Sequence, residues 1–503
     1  MNANLRKTAR DVKWLAIEVS TTKIRLQCHS ELGEVLWQQH IAQAMSPAID
    51  GLFQKPSEWL LAVETLISCA KQDGLDLSTT SAIGICSTPP TLVAMNRSGR
   101  LGDDKARMWA DPHRLGCLND TGTNTGLMKM AYLVRSRSEH HRFRAARYYA
   151  DAGPYLAWQL TGTLVSGAAM LSQKFARSAD AFDLTGLELL EDGEVDAMLS
   201  RIPSKVIQTG DVVGALSRAW CAKLGTKSSP AVLLCGYDSV AGVFGANVRS
   251  PSSTVVFSVG TSATIYKFVS SEIKPGTIGA WEPVSNMLPG GHGLISGGFE
   301  AGVQSIDLLH EDLRLTCHAA KDTELEQLAQ LGERTCGSNC LSLPFGGVPL
   351  RSPLPGVVLP TIVSCECPVP RREVTLTAMR RGIACFFNYC LRDLAIHGER
   401  TTSVHIVGGG TQSPSFCQLI ADLTRCPLRR FCGSTAANGA ALMVIRRMCG
   451  ESHAIAAAAS MQAMAELVLP SENSVRQEFC SKLYANFSQR LKNELALATT
   501  SIS

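Results

Sequence analysis

Asp238 stands where an apolar run, Ala231–Cys235, ends in Gly236-Tyr237-Asp238, so the chain sets a carboxylate at the mouth of a buried strand. Farther on, two β-branched runs, Thr254–Val259 and Ala263–Phe268, are joined by Gly260-Thr261-Ser262. Two such runs about a short glycine-containing link read as a β-hairpin. A turn with few side-chain atoms lets backbone N–H groups and hydroxyls approach an anion, usually a phosphate. A carboxylate beside a phosphate is repelled unless it handles a proton or a metal. A proton acceptor and a phosphate cradle together are what a phosphoryl-transfer enzyme needs.

The hairpin pattern occurs twice. Trp14–Val19 and Lys23–Cys28 flank Ser20-Thr21-Thr22, and V-S-T-T-K-I matches V-G-T-S-A-T in pattern. An apolar strand, a small residue, two hydroxyl residues and a second strand recur about half a chain apart, which predicts a fold-sized internal duplication. Two domains would then each offer one turn to a shared cleft, and two facing turns would grip two phosphates of one nucleotide. Hydroxyl turns between strands are common, and either one alone implies nothing. Their combination with Asp238 is what points to chemistry.

The other candidates lie at strand ends and helix starts. Ala82–Cys86 is a short buried strand that runs into Ser87-Thr88-Pro89-Pro90-Thr91, a loop because a proline pair cannot sit in a central strand. Met108-Trp109-Ala110-Asp111 puts an aromatic ring and a carboxylate in one loop, a grip suited to a polyol. A half-buried Trp with a solvated Asp fits the same residues equally well. His113 and Arg114 read as surface or supporting residues, and Lys174 either reaches a substrate hydroxyl or phosphate or faces water.

The stretch His405–Arg430 predicts a strand over Val404–Val407, a Gly408-Gly409-Gly410 turn, and a helix with Ser413 as N-cap and Pro414 in its first turn. It lacks the G-x-G-x-x-G spacing and the P-loop lysine, so it is neither of those sites. Thr435–Met443 reads as a small-residue helix suited to close packing against a nucleotide wall. Gly297–Gly302 reads as the glycine-rich start of a helix over Val303–His310, Ser204–Ser217 as a linking segment, and Leu343–Pro360 as an irregular loop. Helical periodicity marks Trp59–Ala70, Glu373–Ile396 and a last helix near Val475–Leu497.

A chain of 503 residues is long enough for two domains with sizeable cores. A net charge of +4 is nearly balanced and argues for neither nucleic acid nor membrane. No run is long and apolar enough to span a bilayer, and the N-terminal segment has no apolar core of a secretory signal. The 18 cysteines are scattered, several inside apolar runs, as buried thiols of a reducing compartment would be. Cys336-x3-Cys340 and Cys365-Glu366-Cys367 each lack a second pair at zinc-finger spacing, so neither predicts a metal site.

Six motifs in order resemble the FGGY carbohydrate kinase family, of the actin-like ATPase superfamily, from about Trp14 to Met448. Glu18–Arg25 (E-V-S-T-T-K-I-R) resembles the first phosphate hairpin, and Trp109–Asp111 the sugar-binding W-x-D. Gly236–Asp238 resembles the catalytic G-x-D, and Ser258–Ser262 the second phosphate hairpin. Arg351–Pro353 resembles the end of a G-E-R-x-P loop, and Gly408–Pro414 the adenosine segment.

The resemblance implies an α/β fold of two actin-like (ribonuclease H-like) ATPase domains with a central interdomain cleft. The domains would be 12–248 (sugar and base) and 249–470 (nucleotide), followed by a helical tail at 471–503. It implies ATP- and Mg2+-dependent transfer of the γ-phosphoryl to a terminal sugar hydroxyl, with domain closure to exclude water. Asp238 would be the general base, and Thr88, Trp109, Asp111 and Lys174 would join it around the sugar. Ser20, Thr21, Thr22, Arg25, Gly260, Thr261, Ser262, Gly409, Gly410 and Thr411 would hold the nucleotide. Glu18 would reach the metal through water.

Four positions depart from the family pattern. Glu18 stands where Asp is usual, Ser20 where Gly is usual, and Pro349-Leu350 precede Arg351 in place of Gly-Glu. These motivate a second reading, a weakened kinase relative that binds sugar or nucleotide and acts through a partner. A chaperone-like ATPase of the same superfamily is disfavoured, because no separate peptide-binding domain is evident. In the loop after Ala82–Cys86, glycerol kinases carry Arg-Glu and typical xylulokinases Gln-Met-His-Gly. Thr88-Pro89-Pro90-Thr91 is more similar to the ribulokinase-type members, so a pentulose is expected, D-ribulose before D-xylulose. A cytoplasmic protein follows, with a sugar and ATP as partners and a homodimer left open.

Overall fold

The computed structural model describes residues 12–500 apart from 49–50, 97, 99–100, 110, 112, 114–124, 137–139, 176, 179–180, 183, 185–186, 247–252, 261, 270–275, 282, 285–286, 290–292, 300–317, 348–349 and 366–370. It is a mixed α/β structure of two compact units. The first comprises residues up to 249 with 284–292 and 435–463, and the second comprises 250–283, 293–434 and 464 onward.

The sheet of the first unit uses β1 (Lys13–Val19), β2 (Lys23–His29), β3 (Val35–Ala42), β4 (Thr80–Ser87), β5 (Asp211–Ala215) and β6 (Ala231–Tyr237). Read from one edge, its order is β3-β2-β1-β4-β6-β5. β1 pairs antiparallel with β2 and parallel with β4, β4 pairs parallel with β6, and β5 closes the edge antiparallel. Every residue of β1 is buried, as expected of a strand covered on both faces.

Six strands of the second unit's sheet repeat this plan: β7 (Thr254–Val259), β8 (Ala263–Val269), β9 (Gly293–Phe299), β10 (Ser403–Val407), β11 (Leu428–Arg430) and β12 (Glu466–Val468). Their order is β9-β8-β7-β10-β11-β12, with the same succession of antiparallel and parallel pairs. The recurring hairpin is thus the visible part of a duplicated sheet.

In the first unit, α1 (Pro56–Gln72) buries Trp59, Ala62, Val63, Leu66, Ile67 and Ala70, the face that its periodicity predicts. α2 (Asp238–Ala246) packs on the small-residue helix α5 (Thr435–Cys449), which is also part of this unit. In the second unit, α3 (Arg371–Ile396), α4 (Pro414–Thr424) and α6 (Ser474–Thr500) pack together. The core beneath them is aromatic: Phe257 stacks on Phe387 with ring centroids 4.0 Å apart, and Phe299, Phe345 and Phe386 meet edge to face. Among the described residues, no helix is long and apolar enough to cross a membrane.

Three local expectations change. Gly297 and Gly298 lie inside β9 instead of opening a helix, and Val303–His310 lies outside the described residues. The expected linker Ser204–Ser217 contains β5, an edge strand of the main sheet. The expected loop at Leu343–Pro360 begins inside a strand, Leu341–Pro344, which pairs with Thr361–Ser364.

Candidate active site

Parallel strands deliver whatever follows their carboxyl ends to one place, and in open α/β sheets ligands bind there. In the first unit, Val19 of β1 pairs with Ser87 of β4, and Ser87 pairs with Tyr237 of β6. The residues that come next, Ser20, Thr88 and Asp238, are therefore neighbours. The Thr88 amide donates to the Val19 carbonyl at 2.8 Å, and the Thr88 hydroxyl donates to Asp238 Oδ2 at 2.7 Å. The Ser239 amide donates to Asp238 Oδ1 at 2.7 Å, so both carboxylate oxygens are held.

Removal from water pushes the Asp238 carboxyl up to about 6, the Thr88 hydrogen bond opposes this, and the charge of Glu18 adds to it. Glu18 is buried on β1 and pairs across the hairpin with Arg25, 3.6 Å away. Two carboxylates and a hydroxyl make a hard oxygen donor set of the kind that suits Mg2+.

Ser20 fixes the first turn from within, its hydroxyl donating to the Lys23 carbonyl and accepting from the Lys23 amide. Thr21 is buried and accepts a hydrogen bond from Trp109 Nε1 at 2.9 Å, while Thr22 is exposed. The first turn and the Trp109 loop are thus joined. Asp111 is buried; its carboxylate pairs with Arg107 and accepts from the His113 amide at 2.9 Å and from His113 Nδ1 at 2.8 Å. Ala110 and Arg114 lie outside the described residues. Lys174 ends the helix Ala168–Lys174, half-buried. Tyr237 holds the start of that helix, donating to the Ala169 carbonyl at 2.7 Å.

The second unit repeats the arrangement. Ser258 of β7 pairs with Val407 of β10, so the Gly260–Ser262 turn and the Gly408–Gly410 turn follow adjacent strands. Gly408 has φ +89° and lies so close to the Val259 carbonyl that a Cβ there would collide with it. Gly260 has nothing within 4 Å of where a Cβ would stand, leaving its backbone open to a ligand. Thr411 is buried and donates to the Gly408 carbonyl at 2.7 Å, so its hydroxyl shapes the turn. Ser413 caps α4, accepting from the Phe416 amide at 3.2 Å with Pro414 in the first turn. Thr261 lies outside the described residues.

Two residues not marked by sequence support the first unit's site. Asp151 is buried and accepts from the Thr91 amide at 2.6 Å and the Ser87 hydroxyl at 3.2 Å, fixing both ends of the Thr88 loop. Lys129 is buried and donates to the carbonyls of Met108 and Trp109, holding the Trp109 loop. Its only local signal is a cation inside the apolar run Leu127–Val134.

Burial raises the Asp151 carboxyl to about 7, against its hydrogen bonds and with help from the charge of Asp238. Between an ordinary carboxyl value and 7 the folded state keeps a proton that the unfolded state has lost, so stability falls as pH rises. Asp151→Asn removes this titration; its oxygen still accepts from Thr91, and its amide donates to Ser87. Urea midpoints measured at pH 4 and pH 8 should show the wild type losing about 2–4 kcal/mol more than the variant over that span.

Residues 255–448 match the family model described as "FGGY family of carbohydrate kinases, C-terminal domain". No curated protein matches the chain by sequence. Solved structures share the fold along nearly its whole length. A ligand-bound xylulose kinase from Lactobacillus acidophilus is 18% identical with a TM-score of 0.72, covering 98% of this chain and 100% of its own. A gluconate kinase from the same organism is 18% identical with a TM-score of 0.73 and the same coverage. Plasmodium falciparum glycerol kinase with ADP is 12% identical with a TM-score of 0.72, covering 96% of this chain and 98% of its own. The fold shared with those structures is carried here by the two duplicated sheets. Over residues 255–448 the chain is thus similar to the C-terminal domain of FGGY carbohydrate kinases, and along the rest of its length it shares the fold of the solved kinases.

Proposed function

We propose that the protein transfers the γ-phosphoryl of ATP to a terminal hydroxyl of a pentulose, D-ribulose before D-xylulose, with Asp238 as general base. The observation that carries this reading is the convergence of Ser20, Thr88 and Asp238 at three adjacent strand ends, with the Thr88 hydroxyl 2.7 Å from the carboxylate. A base near pH 6 is mostly ionised at neutral pH yet basic enough to accept a proton from an attacking alcohol. Thr88 and the Ser239 amide orient the carboxylate, so it takes the proton as the sugar oxygen bonds to phosphorus and ADP leaves. The first unit holds the sugar in this reading, with Trp109 as an apolar wall and Lys174 within its surroundings, while Asp111 acts through Arg107 and His113 to shape the loop.

The second unit holds the nucleotide in this reading. Gly260, Thr261 and Ser262 receive phosphate, and Gly409 and Gly410 face the adenosine. On the first hairpin, Thr21, Thr22 and Arg25 complete the phosphate contacts. Glu18 holds Mg2+ through water, and the ion when bound neutralises the charge that builds up on the phosphates. The absence of a spanning helix among the described residues is compatible with a cytoplasmic enzyme.

The test is ADP release by the full chain with ATP and Mg2+ over a panel of D-ribulose, D-xylulose, gluconate and glycerol, with Asp238→Asn as control. A pentulose should stimulate ADP release at least tenfold over that control. If no sugar exceeds the control, the weakened, partner-dependent reading replaces this one. The substitution of Glu18 and Ser20 for the usual Asp and Gly gives that reading its motive.

A further inference from the structure

Cys336 and Cys340, one of the pairs that sequence spacing leaves unconnected, meet Cys365 of the other in the second unit, while Cys367 lies outside the described residues. The helix His318–Thr335 ends just before Cys336, and Cys340 leads into the strand Leu341–Pro344. That strand pairs antiparallel with Thr361–Ser364, Leu341 opposite Ser364, so Cys340 and Cys365 come next on their two chains, across from each other. The thiol sulfurs of Cys336, Cys340 and Cys365 all lie within 4.8 Å of one another. Cys336 and Cys340 are buried, and Cys365 is partly open to solvent, which gives an entry path.

The frame around these sulfurs is rigid. Arg381 of α3, fully buried, donates to the carbonyls of Gly337 at 2.8 Å, Cys340 at 3.1 Å and Cys336 at 3.2 Å, and its Nε pairs with Glu333 at 2.9 Å. One guanidinium therefore clamps the whole Cys336–Cys340 loop, fixing two of the three sulfurs. The Cys336 amide donates to the Gly332 carbonyl at 2.8 Å, which ties the loop to the end of the preceding helix. A metal bound at these sulfurs would displace the thiol protons.

We infer that Cys336, Cys340 and Cys365 form a zinc site, three thiolates with water in the fourth tetrahedral position, which clips the end of the helix to the hairpin. Thiolate sulfurs select soft or borderline cations over Mg2+ or Ca2+. Zn–S bonds of about 2.3 Å set tetrahedral sulfurs about 3.8 Å apart, a contraction of roughly 1 Å from the outer limit of the observed cluster. A disulfide would join only two of the three sulfurs, whereas a metal engages all three. The site is separate from the strand-end chemistry and does not depend on the proposed activity.

The experiment measures metal in the full chain purified without added zinc. The wild type should carry close to one equivalent of zinc, released by a mercurial reagent. Cys340→Ser and Cys365→Ser should lose it, and Cys385→Ser, a buried thiol outside the cluster, should keep it. Co2+ added to metal-stripped wild type should give sulfur-to-metal charge-transfer bands and tetrahedral ligand-field bands. Removal of the metal should lower the Tm of the wild type by roughly 5 °C or more and leave that of Cys340→Ser unchanged. If the serine variants do not fold, the cobalt spectrum of the wild type decides. Wild type that carries no zinc and shows no thiolate band with Co2+ overturns the inference. So does a disulfide, seen as a two-dalton mass deficit in unreduced protein, or zinc retained by the serine variants.

Discussion

Asp238→Asn should lower kcat by about 10²–10⁴-fold and leave KM for the sugar within a few-fold, because in the proposed reaction it removes the proton acceptor and little else. The amide keeps the shape of the carboxylate: its oxygen can still accept from the Ser239 amide, and its NH2 donates to the Thr88 hydroxyl where the carboxylate accepted from it. The same variant should be more stable than the wild type. Its carboxyl is raised from 3.8 to about 6 in the folded state, chiefly by burial. Ionisation therefore costs stability as pH rises from about 4 to about 6, and the loss persists at neutral pH. Asparagine avoids it, by about 1–3 kcal/mol at pH 7. Rate and urea midpoint should move in opposite directions, which a merely misfolded variant cannot do. The wild-type rate should fall below about pH 6 with a slope of one proton; Thr88→Val, which removes an opposing hydrogen bond, should shift that limb upward.

Gly439→Ala should be among the most damaging single-methyl additions to the first unit. α2 and α5 meet backbone to backbone, with Gly245 against Thr435 and Gly439 against Ala241. A Cβ on Gly439 would overlap the Ala241 carbonyl, and neither helix can yield without moving the other. Overpacking against backbone costs about 3–5 kcal/mol, or roughly 10 °C in Tm. Since α2 begins at Asp238, activity should fall with stability, mostly in kcat. Gly193→Ala is the control: its helix has nothing within 4 Å of the new methyl, and Tm should hold or rise slightly. Equal losses in the two variants would refute the packing argument.

What could be read from sequence was what local rules determine. The two hairpins, the strand ending at Asp238 and the Ser413 cap each depend on residues close together in the chain, and each is found where expected. The Gly297-Gly298 pair misled because glycine has more than one use. A Cβ on Gly297 would strike the Ser352 carbonyl and the Trp281 ring, and Gly298, at φ +126°, lies against Ala263. These glycines make room inside a sheet and offer nothing to an anion. β5 was invisible because a five-residue, half-exposed strand has little pattern of its own; its place comes from pairing with β6. Asp151, Lys129 and the Cys336–Cys340–Cys365 cluster owe their burial and partners to chain segments distant in sequence. Cysteine spacing in particular fails when a strand pairing, not a short loop, brings the thiols together.

The assignment of α5 to the first unit has a consequence for synthesis. The helix that starts at Asp238 leaves the ribosome long before the segment that covers it, residues 435–449. About 175 residues of the second unit are made in between. During that interval Val240, Ala241, Val243 and Phe244, all buried in the finished protein, lack their sequence-distant cover. Vectorial folding therefore cannot complete the amino-terminal half first, and a nascent chain stalled before residue 435 presents an apolar surface that a holdase would recognise.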